Sequence, residues 1–565
     1  MQARLVAAAI ALAGVCWSAP QAAPAGGPKL AVIIVVDQMR ADYVDRFNAE
    51  WTGGLKRMAA QGAWFQQAAY PYLTTVTCAG HATIATGSFP HVHGIFQNAW
   101  WDRDAKRQMT CSQDPAARGI GYGVDVTGGD SAYRLQVPTF SDLLRTQRGA
   151  HIVSLSLKAR SAIMLAGHGG DVVTWLTNGL EGWETSSVYA DGPNPTVKAF
   201  IEANPITADF GKTWDRVLDA SSYSGPDDGL GEAPPQGWTR SFPHVLKGAE
   251  GEPDATYFAQ WERSPFADAY LGRFAASLVE SFKLGHHDTT DVLAVSFSTP
   301  DLVGHAFGPR SHEVQDVYFR LDKTVGALFD ALDARVGRDQ WVAALSSDHG
   351  VTPIPEQLAA EGKDAGRVDG GRIVTAIEDA LHPALGAGHH VTVLNTNDIY
   401  FEPGVYDRIR KSRDLAVKVV GAIEARPGVQ RVLMSEEVRG GANAKDPILR
   451  AAALSYFPGR SGDMILVLKP GWMISATGTT HSSATPDDQR VPILFFGAGI
   501  KAGRYQQPAT PADIAPTLAA LTGISMKTEG HVLPVLNRSD ARPTPAAAVE
   551  RPRTSARAPA APAAR

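Results

Sequence analysis

Short apolar runs rich in β-branched residues recur along the chain, and most of them lead into a polar side chain. The runs are five to seven residues long and cover positions 31–36, 151–157, 291–297, 341–345, 464–468 and 491–496. The first four lead to Asp37, Lys158, Asp301 and Asp348. Runs of this length and composition are typical of strands buried on both faces of a mostly parallel sheet.

Segments with helical periodicity separate these runs. In the clearest one, charged residues lie opposite a single apolar face formed by Val314, Val317, Leu321, Val325, Leu328 and Leu332. Alternating strands and helices predict an α/β fold with a doubly wound, mostly parallel sheet flanked by helices. Ligands bind such sheets beyond the carboxyl ends of the strands, where the four polar residues would meet.

Two stretches interrupt this alternation, and we interpret them as insertions near the active site. Residues from about 183 to 265 are rich in Gly, Pro, Trp and Ser. Residues from about 352 to 462 contain mixed elements, including a plausible strand at 391–401. The expected catalytic domain runs from residue 28 to residue 540 and includes both insertions.

The two ends of the chain are not expected to belong to this domain. Residues 1–23 combine Arg4, a short apolar run and small residues in the order of a secretory signal peptide. Residues 541–565 are mainly Ala, Pro and Arg, and we expect a disordered tail because they offer little apolar surface to bury. The chain is therefore predicted to be periplasmic or secreted, without a stable membrane anchor.

The charge of the chain argues against a nucleic-acid partner. The net charge is −5, and removing the +1 of the leader and the +4 of the tail leaves a body of about −10. An acidic body disfavours non-specific binding of nucleic acid. A site for an anionic substrate must therefore gain its positive charge locally.

Two cysteines, Cys78 and Cys111, would remain after removal of the leader. In an oxidising compartment an even pair suggests one disulfide, and two unpaired thiols are the alternative. No CxxC or Cys/His spacing surrounds these residues, so they do not resemble a metal site.

A set of carboxylate and imidazole side chains points to metal chemistry; its members are Asp37, Asp301, His305, Asp348, His349 and His481. Asp301 and His305 are four residues apart, which places them on one side of a helical turn. Each pair alone is explained by a solvated helix pair or a turn, so the signal lies in the combination and its order. Six such ligands suit zinc, and they are about right for two ions.

A run of small residues at 74–83 contains Thr77 and leads into a helical stretch. Backbone N–H groups at a helix start can bind an anion, and a hydroxyl there can act as a nucleophile if a metal stabilises its alkoxide. On this segment alone, helix capping by threonine is the simpler interpretation.

Together these segments resemble, in sequence order, the motifs of the alkaline phosphatase superfamily. The closest resemblance is to the Thr-nucleophile, periplasmic alkaline phosphatases of the phosphate-irrepressible type, and it runs from about residue 30 to 536. It is carried by the metal motifs around the six residues above, by Thr-Val-Thr-Cys-Ala-Gly-His at 75–81, by His-Gly-Ile-Phe-Gln-Asn at 93–98 and by Ser-Leu-Lys-Ala-Arg at 156–160.

The resemblance implies two Zn²⁺ ions and a threonine nucleophile. One ion would be held by Asp301, His305 and His481, and the other by Asp37, Asp348, His349 and the Thr77 oxygen. The phosphate group of the substrate would be bound by Asn98, Lys158 and Arg160, with the Cys78 backbone N–H as a further donor.

The implied reaction is the hydrolysis of small phosphate monoesters through a covalent phosphothreonine intermediate, with release of inorganic phosphate. Lys158 and Arg160 are predicted to point the same way from a strand end, because side chains two residues apart share one face of a strand. They would bind the dianionic oxygen that a diester lacks.

Three alternatives compete with this interpretation. A phosphodiesterase or nucleotide pyrophosphatase of the same superfamily would share the metal ligands, but Thr77 is followed by Cys-Ala-Gly-His and not by a Phe-Pro-Asn run. A sulfatase would need a Cys-x-Pro-x-Arg pattern, which Cys78 does not begin. A non-catalytic metal- or phosphate-binding protein would not need the complete set of reactive residues. The physiological substrate and the oligomeric state are left open.

Overall fold

Five of the six predicted strands form the centre of one ten-stranded sheet in a computed structural model that describes residues 27–537. From one edge to the other, the strands are Gly503–Ala509, Ala63–Ala68, Ile493–Gly497, Trp341–Ser346, Leu30–Val36, Asp291–Phe297, Ile152–Ser156, Val172–Leu176, Trp183–Ser186 and Gly119–Gly121. Within this sheet Ile493–Gly497 and Trp183–Ser186 run antiparallel to their neighbours, and the other strand pairs are parallel. The prediction of a mostly parallel α/β sheet is confirmed. The proposed signal peptide at 1–23 and tail at 541–565 lie outside the described residues.

The central strand Leu30–Val36 shows why an unbroken apolar run is needed at this position. All seven of its residues are buried. Alternate side chains contribute to two different apolar clusters, Leu30 and Val32 to one and Ala31 and Ile33 to the other. Successive side chains of a strand point to opposite faces, so both faces of this sheet are covered.

Helices cover the two faces. The α-helices are Asp42–Phe47, Gly54–Gln61, Thr77–Thr86, Pro90–His93, Phe140–Arg148, Ala159–Ala166, Pro195–Ala203, Ala255–Glu262, Pro265–Ser281, Thr299–Phe307, His312–Arg335, Pro355–Ala360, Gly370–Leu385, Val405–Lys411, Arg413–Glu424, Ser435–Val438, Pro447–Ser455, Pro486–Gln489 and Ile514–Thr522. In His312–Arg335 the six apolar positions predicted to share one face are all buried. None of the helices in residues 27–537 has the length and apolar character that a bilayer crossing requires.

The second insertion is larger than predicted and has its own sheet. Four antiparallel strands pair in the order Val391–Asn395, Asp398–Phe401, Met464–Leu468 and Val429–Met434. The prediction that run 464–468 belongs to the main sheet is therefore wrong. An apolar run indicates that a strand is buried, but it does not indicate which strand is its partner. The strand Met464–Leu468 packs into the hydrophobic core of the second insertion.

The first insertion begins after residue 186, because Trp183–Ser186 is a strand of the main sheet. It contains the short antiparallel pair Thr213–Trp214 and His244–Val245. A further excursion, which the sequence did not indicate, carries the hairpin Ala99–Asp102 and Arg107–Thr110. The second insertion also contains a short parallel pair of strands, Gly366–Arg367 with Trp472–Met473.

Candidate active site

Four adjacent strands deliver polar residues to one edge of the main sheet. Asp37 follows Leu30–Val36, Asp301 lies in the helix after Asp291–Phe297, Asp348 follows Trp341–Ser346, and Lys158 follows Ile152–Ser156. The carboxyl ends of parallel strands meet at the same edge, so residues more than 300 positions apart in sequence become neighbours. The structure thus brings the four predicted polar strand ends together.

The first cluster of side chains surrounds His349. Its Nε2 atom lies 3.5 Å from Asp37 Oδ1, 3.5 Å from Asp348 Oδ2 and 3.5 Å from the hydroxyl oxygen of Thr77. All four residues are buried. Among residues 27–537, no group donates a hydrogen bond to Asp37 Oδ1 or Asp348 Oδ2, which is costly for buried carboxylates unless a cation is bound.

The second cluster is centred on Asp301. The helix Thr299–Phe307 places His305 one turn after it, with His305 Nε2 at 3.1 Å from Asp301 Oδ1. His481 Nε2 lies 3.9 Å from the same oxygen, and the His481 ring stacks on that of His349 at 3.5 Å between centroids. His349 therefore lies between the two clusters.

The three imidazoles share an orientation that favours metal binding. The Nδ1 atom of His305 lies 2.8 Å from the Thr479 carbonyl oxygen, and that of His349 lies 2.9 Å from the Gly350 carbonyl oxygen. The Nδ1 atom of His481 lies 2.6 Å from the carbonyl oxygen of residue 75. A carbonyl can only accept, so each Nδ1 carries the proton and each Nε2 presents its lone pair to the cluster.

The pKa values of the buried side chains indicate that added positive charge would stabilise the site. Burial, together with Asp301 and Asp348, raises the pKa of Asp37 well above its usual range. Burial opposes ionisation of Asp301 as well, but His305 and Lys158 hold the pKa of that carboxyl well below its usual value. Burial lowers the pKa of His349 and of His481, which keeps both imidazoles neutral. Although burial opposes this, Asp301 raises the pKa of His305 in turn. Three carboxylates and three imidazoles in one buried site fit divalent zinc-type cations.

Thr77 is the first residue of the helix Thr77–Thr86, and Val76 before it is extended. The helix approaches the strand end closely, since a Cβ atom on Gly80 would lie 2.1 Å from the Asp348 carbonyl oxygen. Glycine at position 80 therefore allows the Thr77 hydroxyl to lie beside the carboxylate and imidazole cluster.

Asn98 and the disulfide fix the start of this helix from the other side. The Cys78 N–H donates to Asn98 Oδ1 at 2.8 Å. Because Oδ1 accepts this bond, the NH₂ group of Asn98 points away from Cys78. The Cys78 N–H, expected to bind phosphate, is thus already used within the protein. Cys78 is joined to Cys111 with an S–S distance of 1.99 Å.

Lys158 and Arg160 do not extend from a strand, and the period-two argument for them is wrong. The strand ends at Ser156, and Lys158 caps the helix Ala159–Ala166, which contains Arg160. The Lys158 ammonium lies 2.6 Å from Asp37 Oδ2 and 2.5 Å from an Asp301 oxygen. Both basic residues line one cavity of about 410 Å³ with Asn98, and the Arg160 Nε is buried without a hydrogen-bond partner.

Sequence reasoning gave no role to two residues that hold the ligands in place. Gln38 donates its side-chain amide to Asp301 Oδ1 at 2.6 Å and its backbone N–H to Asp348 Oδ1 at 3.1 Å. His81 is buried, with Nδ1 at 2.9 Å from the Thr77 carbonyl and at 3.3 Å from Asp348 Oδ2. Gln38 also adopts a φ of 67°, a left-handed conformation that is uncommon outside glycine. The sequence signal that could have identified them is their position, because Gln38 directly follows Asp37 and His81 lies one helical turn after Thr77.

The second insertion forms the mouth of the site beside His305 and His481. A cavity of about 290 Å³ is lined there by these imidazoles together with Asn98, Asn397 and Trp472. The cavity lies directly beside the Asp301 cluster.

Comparisons with known proteins place the chain in a family. The family model described as type I phosphodiesterase / nucleotide pyrophosphatase matches residues 31–489. The alkaline phosphatase PhoV of Synechococcus elongatus is 30% identical over 518 residues, which cover 88% of this chain and 90% of PhoV. The alkaline phosphatase PhoK of a Sphingomonas species is 32% identical over 520 residues, 87% of this chain and 88% of PhoK.

Solved structures agree as well. The crystal structure of the wild-type alkaline phosphatase PafA superposes with a TM-score of 0.82 at 29% identity and covers 90% of this chain and 99% of that chain. Murine ectonucleotide pyrophosphatase/phosphodiesterase 5 has a TM-score of 0.53 at 14% identity, covering 89% and 97%, which is a likeness of fold alone.

Proposed function

The chain belongs to the type I phosphodiesterase / nucleotide pyrophosphatase family, and we propose that it is an alkaline-phosphatase-type enzyme that hydrolyses phosphate monoesters. Its similarity to alkaline phosphatases over most of its length supports a phosphatase. The finer proposal is that the enzyme uses two zinc ions and Thr77 as nucleophile. The observation that carries it is the convergence of six potential metal ligands beside the Thr77 hydroxyl, with His305 joining the others through Asp301.

The ligand set divides between two ions. Asp301, His305 and His481 would hold one, and Asp37, Asp348 and His349 would hold the other beside the Thr77 oxygen. When bound, the two ions lower the pKa of the Thr77 hydroxyl and offset the charge that develops on the leaving oxygen. The buried carboxylate oxygens without partners and the Nε2 lone pairs facing inward support this assignment.

Thr77 carries out the bond-making step. Its deprotonated oxygen attacks phosphorus, the new O–P bond forms, and the bond to the leaving alcohol oxygen breaks with its electron pair on that oxygen. The position of Thr77 at a helix N-terminus places partially positive backbone N–H groups near the phosphoryl group. Water then attacks the phosphothreonine, which releases inorganic phosphate and restores the hydroxyl.

Three side chains would bind the phosphate oxygens. The Asn98 NH₂ group is free to donate because its carbonyl accepts the Cys78 N–H. Lys158 and Arg160 line the same cavity and add two positive charges, which match the dianion of a monoester better than the single charge of a diester.

A phosphodiesterase or nucleotide pyrophosphatase activity is the second candidate, because the matching family model carries that description. The two basic residues beside Asn98 favour the monoester. Steady-state rates on p-nitrophenyl phosphate, bis-p-nitrophenyl phosphate and p-nitrophenyl sulfate distinguish the classes. We expect the highest kcat/KM on the monoester, and a higher value on the diester would overturn the monoester assignment.

We also propose the cellular setting from the sequence. Residues 28–540 would form the catalytic domain, and residues 1–23 a signal peptide that directs the enzyme to the periplasm or outside the cell. Its partners would be small phosphate monoesters rather than nucleic acid. Mass spectrometry of the secreted protein would identify the mature N-terminus, and a start at Met1 would contradict the signal peptide.

A further inference from the structure

A second group of potential metal ligands lies in the second insertion, outside the active site. Glu378 and His382 are one turn apart on the helix Gly370–Leu385, and His390 immediately precedes the strand Val391–Asn395. One ligand atom from each residue can be chosen so that all three lie within 4.8 Å of one another. None of these residues takes part in the proposed reaction.

The carboxylate of Glu378 is held in a fixed orientation. Its Oε1 atom accepts the backbone N–H groups of His390 at 2.7 Å and of Val391 at 2.9 Å. These bonds leave Oε2 facing the two imidazoles, 2.6 Å from His390 Nδ1 and 3.8 Å from His382 Nε2. A carboxylate fixed in this way loses little conformational freedom when it binds an ion.

The spacing of these atoms fits a small ion. Ligands placed about 2.1 Å from a tetrahedral zinc ion are separated from one another by about 3.4 Å. The two observed distances to Glu378 Oε2, 2.6 Å and 3.8 Å, lie on either side of that value. Shifts of less than about 1 Å in these side-chain atoms would therefore bring both distances to that value. Water would occupy the fourth position around the ion.

The surroundings of these three residues favour a cation and leave the group accessible to solvent. The cluster lies at the C-terminal end of its helix, where the unpaired carbonyl groups carry partial negative charge. His390 and Glu378 are largely buried, whereas the side chain of His382 is 42% exposed. The hydrogen bonds of Glu378 account for its contact with His390. His382 Nε2 also lies 3.2 Å from the Gly388 carbonyl oxygen, so an ion at this site would replace that hydrogen bond as well as the Glu378–His390 side-chain contact.

We propose that Glu378, His382 and His390 form a third site for a divalent zinc-type cation, separate from the active site. Two imidazoles and one carboxylate are a donor set that zinc, copper and nickel bind in proteins. The bound ion would tie the end of the helix Gly370–Leu385 to the start of the strand Val391–Asn395. That strand leads directly to Thr396 and Asn397, which line the mouth of the active site.

The test compares zinc content in single variants of the full-length protein. His382→Ala removes the exposed ligand and leaves the Glu378–His390 contacts intact, so the fold should be retained. His389→Ala is the matched control, because His389 is an exposed neighbour outside the cluster. Each protein is equilibrated at the same buffered free Zn²⁺ concentration, and bound zinc is measured by elemental mass spectrometry.

We expect His382→Ala to bind one zinc per chain less than the wild type, and His389→Ala to bind as much as the wild type. Added Zn²⁺ should raise the Tm of metal-depleted wild type more than that of His382→Ala. Equal zinc content in the wild type and His382→Ala would overturn the proposal. Phosphatase activity is measured in parallel and should be unchanged in both variants, so the result is independent of the proposed function.

Discussion

At the scale of single residues, the active site depends on side chains whose orientation is fixed by hydrogen bonds to neighbouring residues. Backbone carbonyl groups select the imidazole tautomers, and Gln38 orients the two carboxylates of Asp301 and Asp348. Lys158 adds a positive charge against Asp37 and Asp301. Such preorganisation is what electrostatic catalysis requires, because the groups need not rearrange during the reaction.

The two basic residues provide the first prediction at this scale. The double variant Lys158→Ala/Arg160→Ala should lose at least about a hundredfold in kcat/KM for a monoester, because two contacts to the dianion are removed. The loss on a diester should be much smaller. Steady-state kinetics on both substrates measure the difference, with the exposed Lys198→Ala as a control. Equal losses on the two substrates would contradict the role in dianion recognition.

A buried glutamate provides the second prediction. Burial raises the pKa of Glu313 to about 9, and His244 Nε2 lies 2.9 Å from its Oε1. Its folded pKa lies above the unfolded value of 4.5, so its stabilising contribution is present at low pH. That contribution is lost as pH rises toward about 9, at up to about 1.4 kcal/mol per pH unit.

Glu313→Gln, which resembles the protonated side chain, should therefore be more stable than the wild type at high pH and similar to it near pH 5. Thermal unfolding between pH 5 and pH 10 measures this, with the exposed Glu181→Gln as a control. If the wild type and Glu313→Gln lost stability in parallel as pH rises, the raised pKa of Glu313 would be excluded.

At the scale of elements, the site depends on how closely the nucleophile helix, Thr77–Thr86, packs against the end of the strand Trp341–Ser346. Gly80 makes that contact possible, and the Cys78–Cys111 disulfide and Asn98 hold the helix from the opposite side. Thr77, Asp301 and His305 lie in helices, and Asp37, Asp348 and His349 directly follow strands, whereas His481 lies in an irregular segment. Regular elements thus position most of the site, which favours precise geometry.

Gly80→Ala tests this packing. The added methyl group would meet the Asp348 backbone at about 2.1 Å, so the helix must shift and move Thr77 away from the ligands. We expect kcat to fall on the order of a hundredfold, since small misplacements of reacting groups are costly. Gly421→Ala is the control, because it lies in a helix with open space around the added atom. Unchanged activity in Gly80→Ala would show that the close approach is not required.

The sequence predicted the central elements well and the insertions less well. The strands around Asp37, Asp301 and Asp348 were predictable because unbroken apolar runs are distinctive of a buried parallel sheet. The partner of Met464–Leu468 was not, because pairing depends on contacts distant in sequence. The position of Lys158 was also misjudged, since nothing in the local pattern marks where a strand becomes a helix. The six proposed metal ligands were recognisable as a set only through their order along the chain.

At the scale of the whole molecule, the fold gathers charged and metal-binding types of side chain from distant parts of the chain into one buried site. The active site is assembled from residues 37 to 481, so most of the main sheet must form before the ligands meet. The second insertion lines the mouth of the site through Asn397 and Trp472.

The most direct test of the central claim is to trap the covalent intermediate. The zinc-loaded enzyme is mixed with p-nitrophenyl phosphate and quenched in acid, and its peptides are analysed by mass spectrometry. The account predicts one added phosphoryl group on Thr77, none in Thr77→Ala, and a loss of turnover in that variant on the order of a thousandfold or more. A phosphoryl group on a different residue, or full activity in Thr77→Ala, would contradict it.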